Sequence, residues 1–311
     1  MSFYENGEMP AENKNIVMIL NGLPGVGKTS LAYTAKDAVL LAFDDGYSRV
    51  TCLGRKPTLL VENYEELQEF VNSTHLQGKK TLIFDSGGQF VECLKDWVVR
   101  VKKECKKDGT ISLQGYGSVK REFVDFTEKL RKRFDVIYIF HTLVSRDYDG
   151  NPVYDLMCEG QTSQTVWIPA DLGAYMDIVN GERKLHFAPS QFYSAKKSFG
   201  VADLYTVPEI SIGNNDDFLA KLFAMVRENI AKEQEATAGA KAEYESIMQQ
   251  AKALIESIVD VPTLEAAVEV NKNLPRALTS ENEIKTLLSA KCKELGIVWD
   301  KEKKQWEKSA I

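Results

Sequence analysis

The octapeptide Gly22-Leu23-Pro24-Gly25-Val26-Gly27-Lys28-Thr29 limits the possible folds of this chain more than any other stretch. It lies between the apolar run Ile16-Val17-Met18-Ile19-Leu20 and the helix-compatible segment Ser30-Leu31-Ala32-Tyr33. Strand, glycine loop and helix in that order are the context a phosphate-binding loop requires. Backbone N–H groups close around a polyphosphate only where side chains are absent and positive φ is tolerated, which Gly22, Gly25 and Gly27 provide. In this pattern Lys28 reaches the β- and γ-phosphates, Thr29 ligates Mg²⁺, and the start of the following helix faces the anion. Gly22, Pro24, Gly25, Val26, Gly27, Lys28, Thr29 and Ser30 are the expected binding set for ATP and Mg²⁺. A glycine-rich turn that fits the pattern by chance is the competing reading, and the flanking strand and helix weigh against it.

A chain of 311 residues can bury a sizeable core, as one large domain with an appendage or as two domains. With 44% hydrophobic and 27% charged residues it has the composition of a soluble globular protein. A net charge of −6 and a pI near 5.4 exclude a polycation that coats nucleic acid by bulk charge, so any such contact needs a local patch. Cys52, Cys93, Cys105, Cys158 and Cys292 are widely spaced and form no C-x-x-C pair, which argues against a zinc ribbon or a disulfide framework. The polar, acidic stretch Met1 to Asn15 lacks the regions of a signal peptide, and no apolar run approaches the ~18 residues of a membrane span. The expectation is a cytoplasmic protein with no membrane partner.

Taken in order, residues 1–14 read as a flexible arm. Strands are expected near 15–20, 38–43, 58–61, 81–84, 136–140 and 176–179, with helices over 64–71, 90–103 and 119–133. Such alternation indicates βαβ units and a mostly parallel sheet. Asp149-Gly150 and Asn180-Gly181, each between apolar stretches, signal hairpins and an antiparallel extension. From 216 onward helices are expected over 216–234, 240–258, 263–271 and 281–295. A polar break falls at 235–239, and Thr279 or Ser280 with Glu283 caps the last helix. The fold class is therefore α/β: a P-loop core over 15–234 with a hairpin extension, and a helical C-terminal appendage over 240–311.

Thr81-Leu82-Ile83-Phe84-Asp85-Ser86 is an apolar strand that ends in an acid, and about 55 residues after a P-loop this is the Walker B position that holds Mg²⁺. Asp85 or Ser86 would equally cap the following helix. Asp44 and Asp45 close the strand after the P-loop helix, at the carboxyl edge where open α/β sheets bind ligands. One of them, Asp45 by preference, is placed to take a proton from the attacking water, and an Asx turn with Gly46 is the alternative. His141, which ends the strand 136–140, is placed to sense the γ-phosphate, and a surface or capping histidine is the alternative. Lys196 and Lys197 are either a solvated pair or cation donors to a phosphate.

In order and spacing, Gly22–Thr29, Phe43-Asp44-Asp45-Gly46, Leu82–Ser86, Gly115-Tyr116-Gly117 before a helix, His141-Thr142 and Phe192-Tyr193-Ser194-Ala195-Lys196-Lys197 resemble the phage-type nucleotide-binding proteins with a RecA-like ATPase core. The resemblance covers about residues 14–230. Some members of that group are ATPases of phage recombination that bind single-stranded DNA and assist annealing. The resemblance thus implies a homo-oligomer that hydrolyses ATP with Mg²⁺, acts on single-stranded DNA, and meets a recombination or single-strand-binding protein in the host cytoplasm. By the same likeness Asp45 is the catalytic base and His141 the γ-phosphate sensor, beside Lys28 and Asp85, which the P-loop and the acid-ended strand already assign to turnover. Lys196 and Lys197 then form a basic pair that reaches a neighbouring subunit's nucleotide. Many relatives carry Glu and a second Gly where this chain has Asp45-Gly46-Tyr47, and an Arg where it has Lys197-Ser198. A shorter carboxylate slows hydrolysis and leaves an ATP-binding switch open.

A local basic surplus occurs over 95–107, where Lys102, Lys103, Lys106 and Lys107 lead into the Asp108-Gly109-Thr110 loop. Cations that track a backbone beside an aromatic suit single-stranded DNA, and a solvated helix face is the alternative. The hairpin tip with Arg146 is a second candidate. Two other classes remain: a regulatory ATP-binding module that docks a protein partner through 240–311, and a P-loop small-molecule kinase. The kinase needs an arginine-rich lid, for which 143–165 offers only Arg146.

Overall fold

A computed structural model describes residues 14–46, 56–158, 162–300 and 303–308. The expected N-terminal arm lies almost wholly outside the described residues, as do Tyr47 and Cys52. The chain divides into two compact units, Asn13–Asn229 and one that contains Ile230–Ile311.

The first unit is built on a nine-stranded sheet of order β3-β2-β4-β5-β1-β7-β8-β9, with β6 paired to β5. Its strands are β1 (Val17–Gly22), β2 (Ala38–Ala42), β3 (Thr58–Leu60), β4 (Thr81–Asp85), β5 (Asp135–Arg146), β6 (Pro152–Leu156), β7 (Leu172–Val179), β8 (Glu182–His186) and β9 (Leu204–Val207). The stretch from β3 to β7 is parallel, whereas β6, β8 and β9 join antiparallel. Leu40, Ile83, Ile137, Met18 and Leu172 form one row across five strands, and none of them exposes surface. Strands covered on both faces read as unbroken apolar runs, which is why β1, β2, β4 and β5 stood out in the sequence.

The crossovers are α1 (Lys28–Ala32), α2 (Tyr64–Val71), α3 (Gly87–Trp97) and α4 (Leu113–Arg131), with α5 (Thr162–Thr165) between β6 and β7. Asn63, Ser86 and Ser112 cap α2, α3 and α4 with their side chains. Gly115-Tyr116-Gly117 lies inside the first turns of α4, not in a turn before it. Gly115 is needed there for a different reason: a Cβ would sit 2.6 Å from the Glu104 carbonyl oxygen. Between these helices and the sheet, Tyr64, Phe84, Phe90, Phe123, Phe126 and Tyr138 form a buried aromatic layer. The Tyr138 hydroxyl within it is satisfied by Thr127 Oγ1 at 2.7 Å.

Two carboxylates fasten the amino edge of the sheet. Asp135 accepts from the Ile16 N–H at 2.8 Å and pairs with Arg227 at 2.5 Å. Asp171 accepts from the Val17 N–H at 3.0 Å and pairs with Lys14 and Arg131.

Two expectations for the C-terminal part are corrected. The break at 235–239 does not occur: α6 runs unbroken over Phe218–Glu256. Glu235, Ala236 and Ala238 favour helix, Thr237 returns its hydroxyl to the Glu233 carbonyl at 2.8 Å, and a lone Gly239 costs only about 1 kcal/mol. The region is also not wholly helical. After α7 (Val261–Asn273) and α8 (Ser280–Leu295), Gly296 ends the helix at φ 65°. A hairpin of β10 (Ile297–Asp300) and β11 (Gln305–Lys308) follows, with Trp299 paired to Trp306. The rings lie edge to face, 5.2 Å apart. At the start of α8, Thr279 bonds the Glu283 side chain instead of a backbone N–H. Ile247, Ala251, Leu264, Ala267, Ile284 and Ile297 belong to a core separate from that of the sheet.

Candidate functional site

Parallel strands deliver their carboxyl ends to one edge, and β1, β4 and β5 bring Gly22, Asp85 and His141 there. Gly22 pairs with His141 across β1 and β5, and Asp85 pairs with Ile139. The loop 22–29 turns from β1 into α1 and needs its glycines. A Cβ on Gly22 would sit 2.4 Å from the Met176 carbonyl oxygen of β7, and Gly27 adopts φ 103°. Val26 tucks inward, while Pro24 and Gly25 are exposed and Ser30 is half-buried.

Lys28 is buried, and its ammonium donates to the carbonyls of Gly22 at 2.7 Å and Leu23 at 2.9 Å. An ammonium has three donors, so a third remains for an anion held in the loop. Burial lowers the Lys28 pKa to about 8 against the opposing charge of Asp85.

Thr29 Oγ1 donates to Asp85 Oδ2 at 2.7 Å, which joins the first turn of α1 to the end of β4. Burial raises the Asp85 pKa and Asp44 adds to the rise, whereas the Thr29 hydrogen bond, His141 and Lys28 oppose it. The pair is a hydroxyl and a carboxylate, the hard oxygen donors Mg²⁺ takes when phosphate oxygens and waters complete its octahedron. The residues therefore fit a nucleotide-bound Mg²⁺. Ser86, the other acid-site neighbour, caps α3 by accepting from the Gln89 N–H, so Asp85 is left to the site.

His141 Nδ1 is buried and has no hydrogen-bond partner among the described residues. Burial and the Lys28 charge lower its pKa, against the pull of Asp85 and Asp44. The shift favours the neutral imidazole at the edge where a phosphate would arrive. Beside it is a residue that sequence reasoning missed: Asn21, fully buried, whose Oδ1 accepts from the Gly22 N–H at 2.8 Å and from Thr142 Oγ1 at 2.9 Å. Its Nδ2 is buried without a partner among the described residues. The signal was available, since a polar side chain at the end of an otherwise apolar strand has to be satisfied by something.

Of the acids after β2, Asp44 makes the Asx turn, with Oδ1 accepting from the Gly46 N–H at 2.6 Å. It is also Asp44 whose charge acts on Asp85 and His141. Asp45 follows it at the exposed rim.

The lysine pair is engaged within its own chain. The Lys196 ammonium donates to the carbonyls of Ala170 and Trp167, while its backbone pairs with Gly173. Lys197 pairs with Asp203 at 2.5 Å. In the basic run, Arg100 bonds both carboxylate oxygens of Glu65, and Lys95 is buried beside Glu92. Lys102 sits 4.7 Å over the Trp97 ring and 3.9 Å from Glu122. Lys103, Lys106 and Lys107 are exposed, and Arg146 closes its own hairpin by donating to the Gly150 carbonyl at 2.7 Å. A second residue missed in the sequence, the cation Arg183 of β8, donates from Nε to the Val26 carbonyl of the P-loop at 3.1 Å.

The chain is similar in fold to a KaiC-like protein, PH0186, from the hyperthermophilic archaeon Pyrococcus horikoshii OT3. The two are 12% identical with a TM-score of 0.35, over 63% of this chain and 90% of that one. It is also similar to the flagellar accessory protein FlaH from Methanocaldococcus jannaschii, at 10% identity and a TM-score of 0.31, over 55% of this chain and 76% of that one. A comparison with curated proteins finds no match. Residues 14–199, which span the P-loop, the acid of β4 and the end of β5, match the family described as AAA domain, and the chain belongs to that family.

Proposed function

We propose that this protein is a Mg²⁺-dependent ATPase. The observation that carries the reading is the Thr29–Asp85 contact of 2.7 Å next to the buried Lys28 ammonium, because it brings a metal-holding pair and a phosphate-facing cation together at one edge of the sheet. In hydrolysis, a water attacks the γ-phosphorus, its proton passes to a carboxylate after β2, and the bond to the β–γ bridging oxygen breaks to leave ADP and phosphate. Mg²⁺, when bound with the nucleotide, neutralises charge on the β- and γ-oxygens. Thr29 and Asp85 would hold it, Lys28 faces the same oxygens, Asp45 takes the proton, and His141 donates one hydrogen bond to the γ-phosphate. The test is ATP binding and turnover: Lys28→Ala is expected to abolish tight binding with the fold intact, and Asp45→Asn to bind ATP normally but lose turnover. Full turnover in either variant would remove the assignment.

The finer reading is an oligomeric ATPase of phage recombination type that acts on single-stranded DNA. It is supported by the ordered resemblance over residues 14–230 and by the exposed Lys103, Lys106 and Lys107. Neutralising Lys102, Lys103, Lys106 and Lys107 is expected to weaken single-stranded DNA binding and to flatten its salt dependence. An unchanged salt slope would move the contact elsewhere, to the Arg146 hairpin first. A second reading, an ATP-binding module that docks a protein partner, is favoured by the separate core of the unit that contains Ile230–Ile311. ATPase rates with and without single-stranded DNA separate the two.

A further inference from the structure

We propose that Arg183 is a second cationic ligand of the nucleotide, gripping the phosphate chain from the side of the P-loop opposite Asp85; the inference rests on the nucleotide-binding reading above. In the strand order β4-β5-β1-β7-β8 the loop leaves β1 at the centre. Asp85 stands two strands away on one flank, and β8 two strands away on the other. Metal and γ-phosphate chemistry, with Asp85, Asp44 and His141, is gathered on the first flank. Arg183 is the cation that reaches the loop from the second.

The sheet register aims it there. Arg183 pairs with Ile178 and Leu185 with Met176, so these four share a face. That face is the P-loop's, because a Cβ on Gly27 would meet Arg183 Nε at 3.1 Å, Arg183 Cδ at 3.6 Å and Met176 Cε at 3.7 Å. The alternate residues of β8 point the other way and are occupied: Lys184 bonds Glu182 and Thr206, and His186 bonds Asp177. Arg183 itself makes one hydrogen bond among the described residues, from Nε to the Val26 carbonyl at 3.1 Å. That bond fixes the stem beside Gly27, whose N–H belongs to the anion cradle, and leaves both terminal amino groups, the planar fork that suits phosphate oxygens, without a hydrogen bond among the described residues. Gly27 is needed for its positive φ, and a Cβ there would also crowd the Arg183 side chain. An approach from the flank away from the γ-phosphate assigns Arg183 to the phosphates that ADP and ATP have in common.

The experiment is calorimetric titration of the full-length protein with Mg·ADP and with Mg·ATP under non-hydrolysing conditions, for wild type, Arg183→Ala, Arg183→Gln and Arg183→Lys. Melting temperatures without nucleotide serve as the fold control. Arg183→Ala and Arg183→Gln are expected to raise Kd for ADP and ATP by the same factor, about tenfold, as befits loss of a hydrogen bond to a charged group, with Arg183→Lys between them and wild type. Gln can still donate to Val26, so full affinity in Arg183→Gln would show that the arginine only braces the loop and would overturn the inference. Values within about twofold of wild type for Ala and Gln, or a loss confined to ATP, would overturn it too. Wild-type protein that binds neither nucleotide would instead defeat the underlying reading.

Discussion

Thr29 Oγ1 and Asp85 Oδ2 lie 2.7 Å apart although 56 residues separate them in the chain. The contact links the P-loop helix to the strand end, and it holds the carboxylate where burial, with the Asp44 charge added, raises its pKa. Asp85→Asn is expected to keep nucleotide binding within about tenfold and to lose Mg²⁺-dependent turnover by at least ~10²-fold, since the amide cannot supply a hard anionic ligand. Thr29→Val removes both the hydroxyl ligand and the donor to Asp85. Mg²⁺ titrations of the ATPase rate check both variants, and an unchanged Mg²⁺ requirement in either would place the metal elsewhere.

The Lys28 pKa gives nucleotide binding a pH dependence of known sign. Burial lowers it to about 8, so the free protein loses the ammonium as pH rises past that value. Binding a polyphosphate requires the ammonium, and above about pH 8 each bound nucleotide must therefore bring a proton with it. Kd for ADP is expected to be flat from pH 6.5 to 7.5 and to climb toward tenfold per pH unit above about 8, with proton uptake seen as a buffer-dependent enthalpy in calorimetry. A Kd that stays flat to pH 9.5 would mean that Lys28 keeps its proton throughout.

Why some of this was legible in the sequence, and some not, follows from where the information sits. The P-loop, Asp85 and His141 lie at the ends of apolar strands, so local pattern alone put them at one sheet edge. Arg183 was invisible because its role depends on a neighbour 157 residues away, Val26, whereas Asn21 showed as a polar residue closing an apolar strand and only its partner Thr142, 121 residues away, was hidden. Strand β8 carries a single apolar residue, Leu185, so that only the Asn180-Gly181 turn signalled it, and β9 is short enough that only its pairing with β8 reveals it. At the C-terminus the errors run the other way. Residues 235–239 look like a break, yet Glu235, Ala236 and Ala238 favour helix and outweigh a lone Gly239, while Trp299 and Trp306 build a hairpin from cross-strand packing that no periodicity announces.

The amino-edge pair Arg227–Asp135 ties α6 to the start of β5, and its loss should be pH-dependent. Asp135 is buried and its pKa is raised by that burial, against the lowering effect of the Ile16 N–H and Arg227. Arg227→Met leaves the carboxylate without its cation, a change expected to cost about 2 kcal/mol at pH 7 and less than for a fully buried pair, because Arg227 keeps 28% of its side chain exposed. An acid whose folded pKa lies above its unfolded value takes up its proton first in the folded state, so folding gains stability as pH falls. Removing Arg227 pushes that pKa higher. The deficit in unfolding free energy is therefore expected to shrink between pH 7 and pH 5, and a deficit that grows on acidification would contradict the assignment.

Lys196 and Lys197 bear on whether hydrolysis is completed between subunits. Each is held in its own chain, Lys196 by the carbonyls of Trp167 and Ala170 and Lys197 by Asp203. The Lys196 contacts hold the segment beside β7, so a neighbour's nucleotide would have to offer more than two carbonyls to draw that ammonium away. The Lys197 partner is a single Asp203 that is itself exposed, and an exposed ion pair is worth only ~0–1 kcal/mol, so this cation is released at little cost. Lys197 is thus the better placed to reach across an interface, where a finger cation is worth ~10³-fold or more in turnover. Lys197→Ala is expected to bind ATP normally, melt within a few degrees of wild type and hydrolyse poorly, whereas Lys196→Ala is expected to lower the melting temperature as well. Mixing Lys197→Ala with Lys28→Ala protein should restore part of the activity, because some interfaces then pair an intact P-loop with an intact Lys197. No recovery in a sample shown by mass measurement to contain mixed oligomers would confine the lysine to its own subunit.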